Sequence, residues 1–152
     1  MTLFYLDSSA WLKRYLLEPG SDWITRLFQS GDPLASSVLG YIEVGSALSR
    51  QQVPRKLDQE KLARLQQQLE EDWADLAGLP VTDEVVGRAL RLARGYKLRA
   101  ADAVHLATAL GVNDALVGTG NSLVLIASDE DLLAVAQQTG LAVENPAIAA
   151  SP

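Results

Sequence analysis

The sequence predicts an α/β domain, a parallel sheet covered by helices on both faces. Three observations carry that expectation. Short apolar runs of strand length alternate with longer segments whose apolar residues recur at helical spacing. The two strongest runs, Leu3-Phe4-Tyr5-Leu6 and Leu123-Val124-Leu125-Ile126-Ala127, show no polar alternation, as strands buried on both faces do not. Each run stops at an acid-bearing polar pair that opens a helical pattern, Asp7-Ser8 and Ser128-Asp129. In an open α/β sheet such strand ends line the crevice where ligands bind.

Taken in order, the strand Leu3–Leu6 leads into a helix from Ser8 to about Leu17, stopped by Pro19-Gly20. Ser21 caps a second helix with Trp23, Ile24, Leu27 and Phe28 at helical spacing and Gly31 just past its end. Pro33–Ser37 is placed as a strand mainly because the alternation requires one there. A helix of small and apolar residues runs from Val38 to about Gln51, broken by Val53-Pro54. The next, from Asp58 to Leu76, is long and amphipathic, with Leu62, Leu65, Leu69, Trp73 and Leu76 on one stripe. Leu79–Thr82 is a short strand, and Asp83 begins a helix whose Val85, Val86, Ala89, Leu90 and Ala93 face inward. A further helix runs from Ala100 to about Gly111, and Asn113–Ser122 is a connection without assigned structure. After the strand Leu123–Ala127, a helix reaches about Thr139 and Gly140–Val143 is the last strand. These elements form one expected domain over residues 1–146, with a short fraying tail at 147–152.

Composition narrows the function classes. A chain of 152 residues with 48% hydrophobic and 21% charged residues has the make-up of a soluble globular protein. It contains no cysteine, which excludes disulfides and thiolate metal sites and suits a reducing, cytoplasmic setting. No apolar stretch approaches the length of a membrane span, and no basic segment precedes the first apolar run as in a secretory leader. The net charge of −6 counts against a nucleic-acid partner unless the acids are gathered in one place.

Four acids have the placement to gather. Asp7 and Asp129 follow the two strongest strands, Asp102 lies in the first turn of its helix, and Glu43 sits inside the helix after the weak second strand. Right-handed crossovers bring parallel strand ends to one edge. Each acid also has a purely structural alternative. Asp7 and Asp129 suit helix caps, with Ser128-x-x-Asp131 resembling a capping box, and Asp102 can pair with Arg99 at i−3. Glu43 lacks such an alternative, since Leu39, Gly40, Ser46 and Ala47 at three and four residues' distance cannot pair with a carboxylate. Its charge must reach water or a cation. Oxygen donors without cysteine suit Mg²⁺ or Mn²⁺, which take a few carboxylates, keep several waters and complete their shell on phosphates. One or two such ions would support any metal-assisted phosphoryl transfer. Without metal the gathered carboxylates repel, and one member is expected to relieve this by a raised pKa.

Read as motifs, these stretches resemble the PIN domain, specifically the VapC-type toxins of bacterial toxin–antitoxin pairs. The matching pieces are Tyr5-Leu6-Asp7-Ser8-Ser9-Ala10-Trp11-Leu12-Lys13, Ser36-Ser37 through Tyr41-Ile42-Glu43-Val44, Leu98-Arg99-Ala100-Ala101-Asp102-Ala103-Val104-His105-Leu106-Ala107-Thr108-Ala109, and Ala127-Ser128-Asp129-Glu130-Asp131-Leu132, closed by Gly140-Leu141 and Asn145-Pro146. The resemblance implies a three-layer α/β/α sandwich with a mostly parallel central sheet, and a Mg²⁺- or Mn²⁺-dependent endoribonuclease acting on RNA. It also implies a cognate antitoxin that blocks the site. The family's acids fall on Asp7, Glu43, Asp102 and Asp129, with Asp131 as an alternative fourth. Its supporting small polar positions fall on Ser9 and Ser128. His105, one turn after Asp102, is assigned to packing or hydrogen bonding rather than to a catalytic base.

Taking the four site acids out of the net charge leaves −2, and the basic residues are clustered. Arg88, Arg91, Arg94, Lys97 and Arg99 occur with no acid among them, and Arg50, Arg55, Lys56, Lys61 and Arg64 form a looser group. The first group is either an RNA-backbone contact or an ordinary solvated face. The stripe Leu62–Leu76 is either intradomain packing or, as the resemblance implies, part of a homodimer or antitoxin groove. Three rival readings remain. A phosphoacceptor signalling domain wants an acid pair at the first strand and a late lysine, whereas Asp7 is followed by serines and no lysine follows Lys97. A dehalogenase-type phosphatase wants an aspartate where Ser9 stands. A non-catalytic PIN-like binding module would not need all four acids.

Overall fold

In the computed structural model, which describes residues 1–50 and 58–149, five parallel strands form one sheet in the order β3-β2-β1-β4-β5. The strands are β1 (Thr2–Leu6), β2 (Leu34–Ser37), β3 (Ala77–Leu79), β4 (Ser122–Ile126) and β5 (Ala142–Glu144). The helices are α1 (Ser8–Trp11), continued by a 3₁₀ turn to Arg14, then α2 (Ser21–Gln29), α3 (Val38–Arg50), α4 (Gln59–Asp75), α5 (Asp83–Tyr96), α6 (Ala100–Leu116) and α7 (Glu130–Gln138). The chain builds outward from β1 to β2 and β3, then returns to the far side of β1 for β4 and β5. The carboxyl ends of β1 and β4 therefore flank the point where strand order reverses, the usual ligand crevice of a doubly wound sheet.

The helices form layers on the two faces of the sheet. On one face Tyr5, Leu123 and Leu125 pack with Leu106, Ala109 and Leu110 of α6 and Leu132 and Ala136 of α7. On the other, Leu6 and Ile126 pack with Trp11, Ile24 and Leu27 of the early helices and Val44 and Leu48 of α3. Successive strand residues thus go to opposite faces, and both faces are covered.

Several boundaries differ from the expectation, each for a packing reason. The first helix loosens into the 3₁₀ turn after Trp11 instead of running on to Leu17. β3 is Ala77–Leu79, not Leu79–Thr82, because Ala77, Gly78 and Leu79 register with Ala35, Ser36 and Ser37. Pro80 has no N–H to extend that ladder. Gly78 is required there, since a Cβ would lie 2.6 Å from the Trp73 ring. α6 runs on to Leu116, absorbing part of the unassigned connection, as Val112 and Leu116 pack against the first core cluster. β5 starts at Ala142, after Gly140 has closed α7 with a φ of +93°. On α5, Val86 and Leu90 are exposed rather than inward, while Val85, Ala89 and Ala93 pack against α6 residues. The break expected at Val53-Pro54 lies outside the described residues.

The α4 stripe packs within its own domain. Leu69 and Leu76 are buried, Leu62, Leu65 and Trp73 pack on the same cluster, and Trp73 stacks on Tyr41 with centroids 4.7 Å apart. Among the described residues no helix is long and apolar enough to cross a membrane.

Candidate active site

Asp7 is the first residue after β1 and caps α1. Its Oδ1 accepts from the Ala10 N–H at 3.1 Å and from the Ser9 hydroxyl at 2.6 Å. A polar residue ending a buried strand and capping the next helix is held at both ends by backbone, so its carboxylate has little freedom. Ser9 also binds across the sheet. Its hydroxyl oxygen accepts from the Ser128 N–H at 2.9 Å, tying the start of α1 to the loop after β4. The Ser128 hydroxyl is buried with no hydrogen-bond partner among the described residues. Asp7 is 2% exposed. Burial pushes its pKa up, and the charge of Asp102 adds to this, while His105 and the hydrogen bonds from Ser9 and Ala10 pull it down. Desolvation is thus the main reason the Asp7 carboxylate resists ionisation, and the Asp102 charge is a smaller one.

Asp129 caps α7, its Oδ1 accepting from the Leu132 N–H at 3.1 Å. Its other oxygen faces Arg99. The Arg99 guanidinium spans two site acids, with Nε 3.0 Å from Asp102 Oδ2 and Nη2 2.7 Å from Asp129 Oδ2. The i−3 pairing of Arg99 with Asp102 is therefore present, but it is half of a bridge that brings Asp102 and Asp129 onto one cation. Those two carboxylates hold the Arg99 pKa above its usual value. Asp131 is exposed in the first turn of α7 and makes no hydrogen bond or ion pair with the other acids. Asp129 is the residue that meets the cluster.

Glu43 comes from α3. Its Oε1 accepts from His105 Nε2 at 2.7 Å, and His105 Nδ1 lies 2.9 Å from the Tyr5 hydroxyl. The carboxylate can only accept, so Nε2 carries a proton. Burial, and secondarily the charge of Asp7, pushes the Tyr5 phenol up, so its hydroxyl keeps its proton beside Nδ1. The hydrogen-bonding role expected for His105 is thus what the structure shows. Tyr5 carried no functional signal, because its partner lies 100 residues away in sequence.

The basic cluster is divided. Arg99 stands in the site, whereas Arg88 pairs with Asp114 at 2.7 Å. Asp114 is twelve residues beyond Asp102 on α6, about 18 Å along the helix axis. Arg91, Arg94 and Lys97 are exposed between them. Of the second group, Arg50 lines a cleft of about 360 Å³ together with Ser8, Ser9, Leu12, Ile42 and Glu43. Arg64 pairs with Glu60 on α4, Lys61 is exposed, and Arg55 and Lys56 lie outside the described residues.

Among the described residues no group of three His, Cys, Asp or Glu side chains is placed to hold a metal ion, so a divalent ion here would draw on one or two carboxylates at a time and fill the rest of its shell with water. Asp102 and Asp129 already share a cation, and Asp7 Oδ2 accepts no bond from the described residues. A divalent ion at Asp102 and Asp129 would have to compete with Arg99. Arg99→Gln is therefore expected to tighten Mn²⁺ binding severalfold, because like charges at contact distance repel. Calorimetric titration of the two proteins checks this, and weaker binding by the variant would show that Arg99 supports the ion.

A doubly wound parallel sheet with Asp7 and Asp129 just beyond β1 and β4, the strands that flank its switch point, defines an acid-bearing α/β domain. The chain belongs to the PIN domain family, whose pattern matches residues 4–138. It is similar to Ribonuclease VapC45 of Mycobacterium tuberculosis (strain CDC 1551 / Oshkosh), at 40% identity over 114 residues, covering 75% of this chain and 79% of that one. It is also similar to Ribonuclease VapC47 of the same strain, at 26% identity over 148 residues, covering 95% and 97%. Among solved structures, FitAcB from Neisseria gonorrhoeae superposes with a TM-score of 0.68 at 17% identity, covering 96% of this chain and 99% of that one. At that identity the likeness is one of fold.

Proposed function

We propose that the chain is a Mg²⁺- or Mn²⁺-dependent endoribonuclease and the toxin of a toxin–antitoxin pair. The observation that carries this reading is that Arg99 already joins Asp102 and Asp129 on one cation, while the charge of Asp102 is felt at Asp7. The relatives of matching length are named ribonucleases, which supports RNA as the substrate. Asp7, Glu43, Asp102 and Asp129 would hold the ion, some of them directly and the others through its waters. Ser9 fixes Asp7 and, through Ser128, the loop that bears Asp129. When bound, the ion supplies an acidified water and stabilises charge on the phosphodiester oxygens. The RNA backbone is held by Arg91, Arg94 and Lys97, while Arg88 is engaged by Asp114 and Arg99 by Asp102 and Asp129. The cognate antitoxin protein covers the cleft that opens beside Ser9 and Glu43. A homodimer is supported by the exposed Val86 and Leu90 of α5 rather than by the α4 stripe, which is used internally. The place of action is the cytoplasm.

The test is incubation of the purified chain with total cellular RNA, with Mn²⁺ and with chelator, followed by mapping of new ends. Internal cuts that vanish with chelator are the expected result. RNA left intact with Mn²⁺, or shortened only from its termini, would overturn the assignment.

A further inference from the structure

The buried contact between Tyr5, His105 and Glu43 has no part in the reading above, yet it joins three of the acid-bearing elements. Tyr5 lies two residues before Asp7 on β1, His105 lies one turn after Asp102 on α6, and Glu43 lies on α3. Tyr5 is fully buried, His105 is 1% exposed, and Glu43 is 29% exposed. The two polar contacts, 2.9 Å and 2.7 Å, run in series through the imidazole. The rings of Tyr5 and His105 also meet edge to face, with centroids 5.9 Å apart. Gly40, one turn before Glu43, allows the close approach of α3. A Cβ there would lie 2.5 Å from the Ser36 hydroxyl and 3.0 Å from His105 Cε1. The imidazole is therefore clamped by β1 on one side and α3 on the other. It occupies Oε1 of Glu43, while Oε2 has no hydrogen-bond partner among the described residues.

We propose that His105, itself held by Tyr5, is a positioning residue that fixes Oε1 of Glu43, so that Glu43 offers a single oxygen to the divalent ion. The same strut sets the spacing between Glu43 and the elements that carry Asp7 and Asp102. The inference rests on the metal-site reading above. Hydrogen-bond partners of metal ligands matter because they decide which lone pairs face the ion and how much order binding must impose.

Mn²⁺ affinity of the full chain, measured by calorimetry without RNA, tests the strut. His105→Asn cannot reach Glu43 and is expected to bind Mn²⁺ about 10- to 100-fold more weakly, the range for lost supporting contacts. His105→Gln places an amide N–H near the position of Nε2 and is expected to recover most of the affinity. Tyr5→Phe keeps the ring, removes only the outer hydrogen bond, and is expected to lose a smaller factor. A purely structural histidine would lower the metal-free melting temperatures of the Asn and Gln variants alike and leave Mn²⁺ affinity unchanged in both. Wild-type affinity in folded His105→Asn overturns the strut and leaves the metal site standing. Should the histidine variants fail to fold, Tyr5→Phe decides, and wild-type affinity there overturns the strut. A wild-type chain that binds no Mn²⁺ overturns the metal reading and the strut with it.

Discussion

Asp7→Asn is expected to lower Mn²⁺-dependent RNA cleavage by at least about a hundredfold, some 3 kcal/mol of transition-state stabilisation. The metal-free variant is expected to be no less stable than wild type at neutral pH. Asparagine caps a helix about as well as aspartate, and its carbonyl oxygen can accept the same bonds from Ser9 and Ala10 that Asp7 accepts. What it removes is a carboxylate that burial and Asp102 make costly to ionise. The sign follows from linkage. The pKa of Asp7 is higher in the folded chain than its ordinary 3.8, so its favourable contribution is complete below that value. It is lost as pH rises through the raised folded value. Thermal melts in chelator should show wild type falling relative to Asp7→Asn across that window, and Mn²⁺ should then restore wild type and do little for the variant. Cleavage at the wild-type rate by Asp7→Asn would reduce Asp7 to a helix cap.

Trp11→Ala is expected to cost about 3–5 kcal/mol of folding stability, the range for deleting a buried large aromatic. Against the roughly 5–15 kcal/mol of a typical domain, that is a large share. Trp11 is fully buried and lies 6.0 Å from the Trp73 ring and 6.4 Å from Tyr41, centroid to centroid, within a three-ring stack. Its Nε1–H donates to the Tyr15 hydroxyl at 2.9 Å, and that hydroxyl donates to Asp72 at 2.8 Å, joining α1 to α4. Burial, reinforced by the Asp72 charge, keeps the Tyr15 phenol protonated for that second bond. Trp11→Phe retains most of the ring volume and is expected to lose mainly the hydrogen bond, about 1 kcal/mol. Urea unfolding of both variants measures the difference. A loss below about 1 kcal/mol for Trp11→Ala would mean that the surrounding rings collapse into the space.

Much of the architecture was legible in the chain because its signals are local, and the four candidate acids were picked out by the same kind of signal. Apolar runs without alternation mark strands buried on both faces, and an acid at the end of such a run is carried to the rim by the strand itself. Glu43 stood out because its helical neighbours offered no partner. The missed boundaries are those where local signals compete with packing. Gly111 reads as a helix end, yet Val112 and Leu116 find the core and continue α6. Leu79–Thr82 reads as a strand, yet the ladder to β2 takes Ala77–Leu79 and stops at proline.

The chain by itself determined which residues could meet at one edge of the sheet, because period, cap chemistry and turn residues act over a few positions. Tertiary structure alone decided what each acid touches. Arg99 is within reach of Asp102 along one helix turn, but it reaches Asp129, 30 residues away, because β4 lies next to β1. Glu43 meets His105 across 62 residues, and His105 meets Tyr5 across 100. Contacts of that separation depend on strand order and on the close approach that Gly40 permits, and no pattern within one element encodes them.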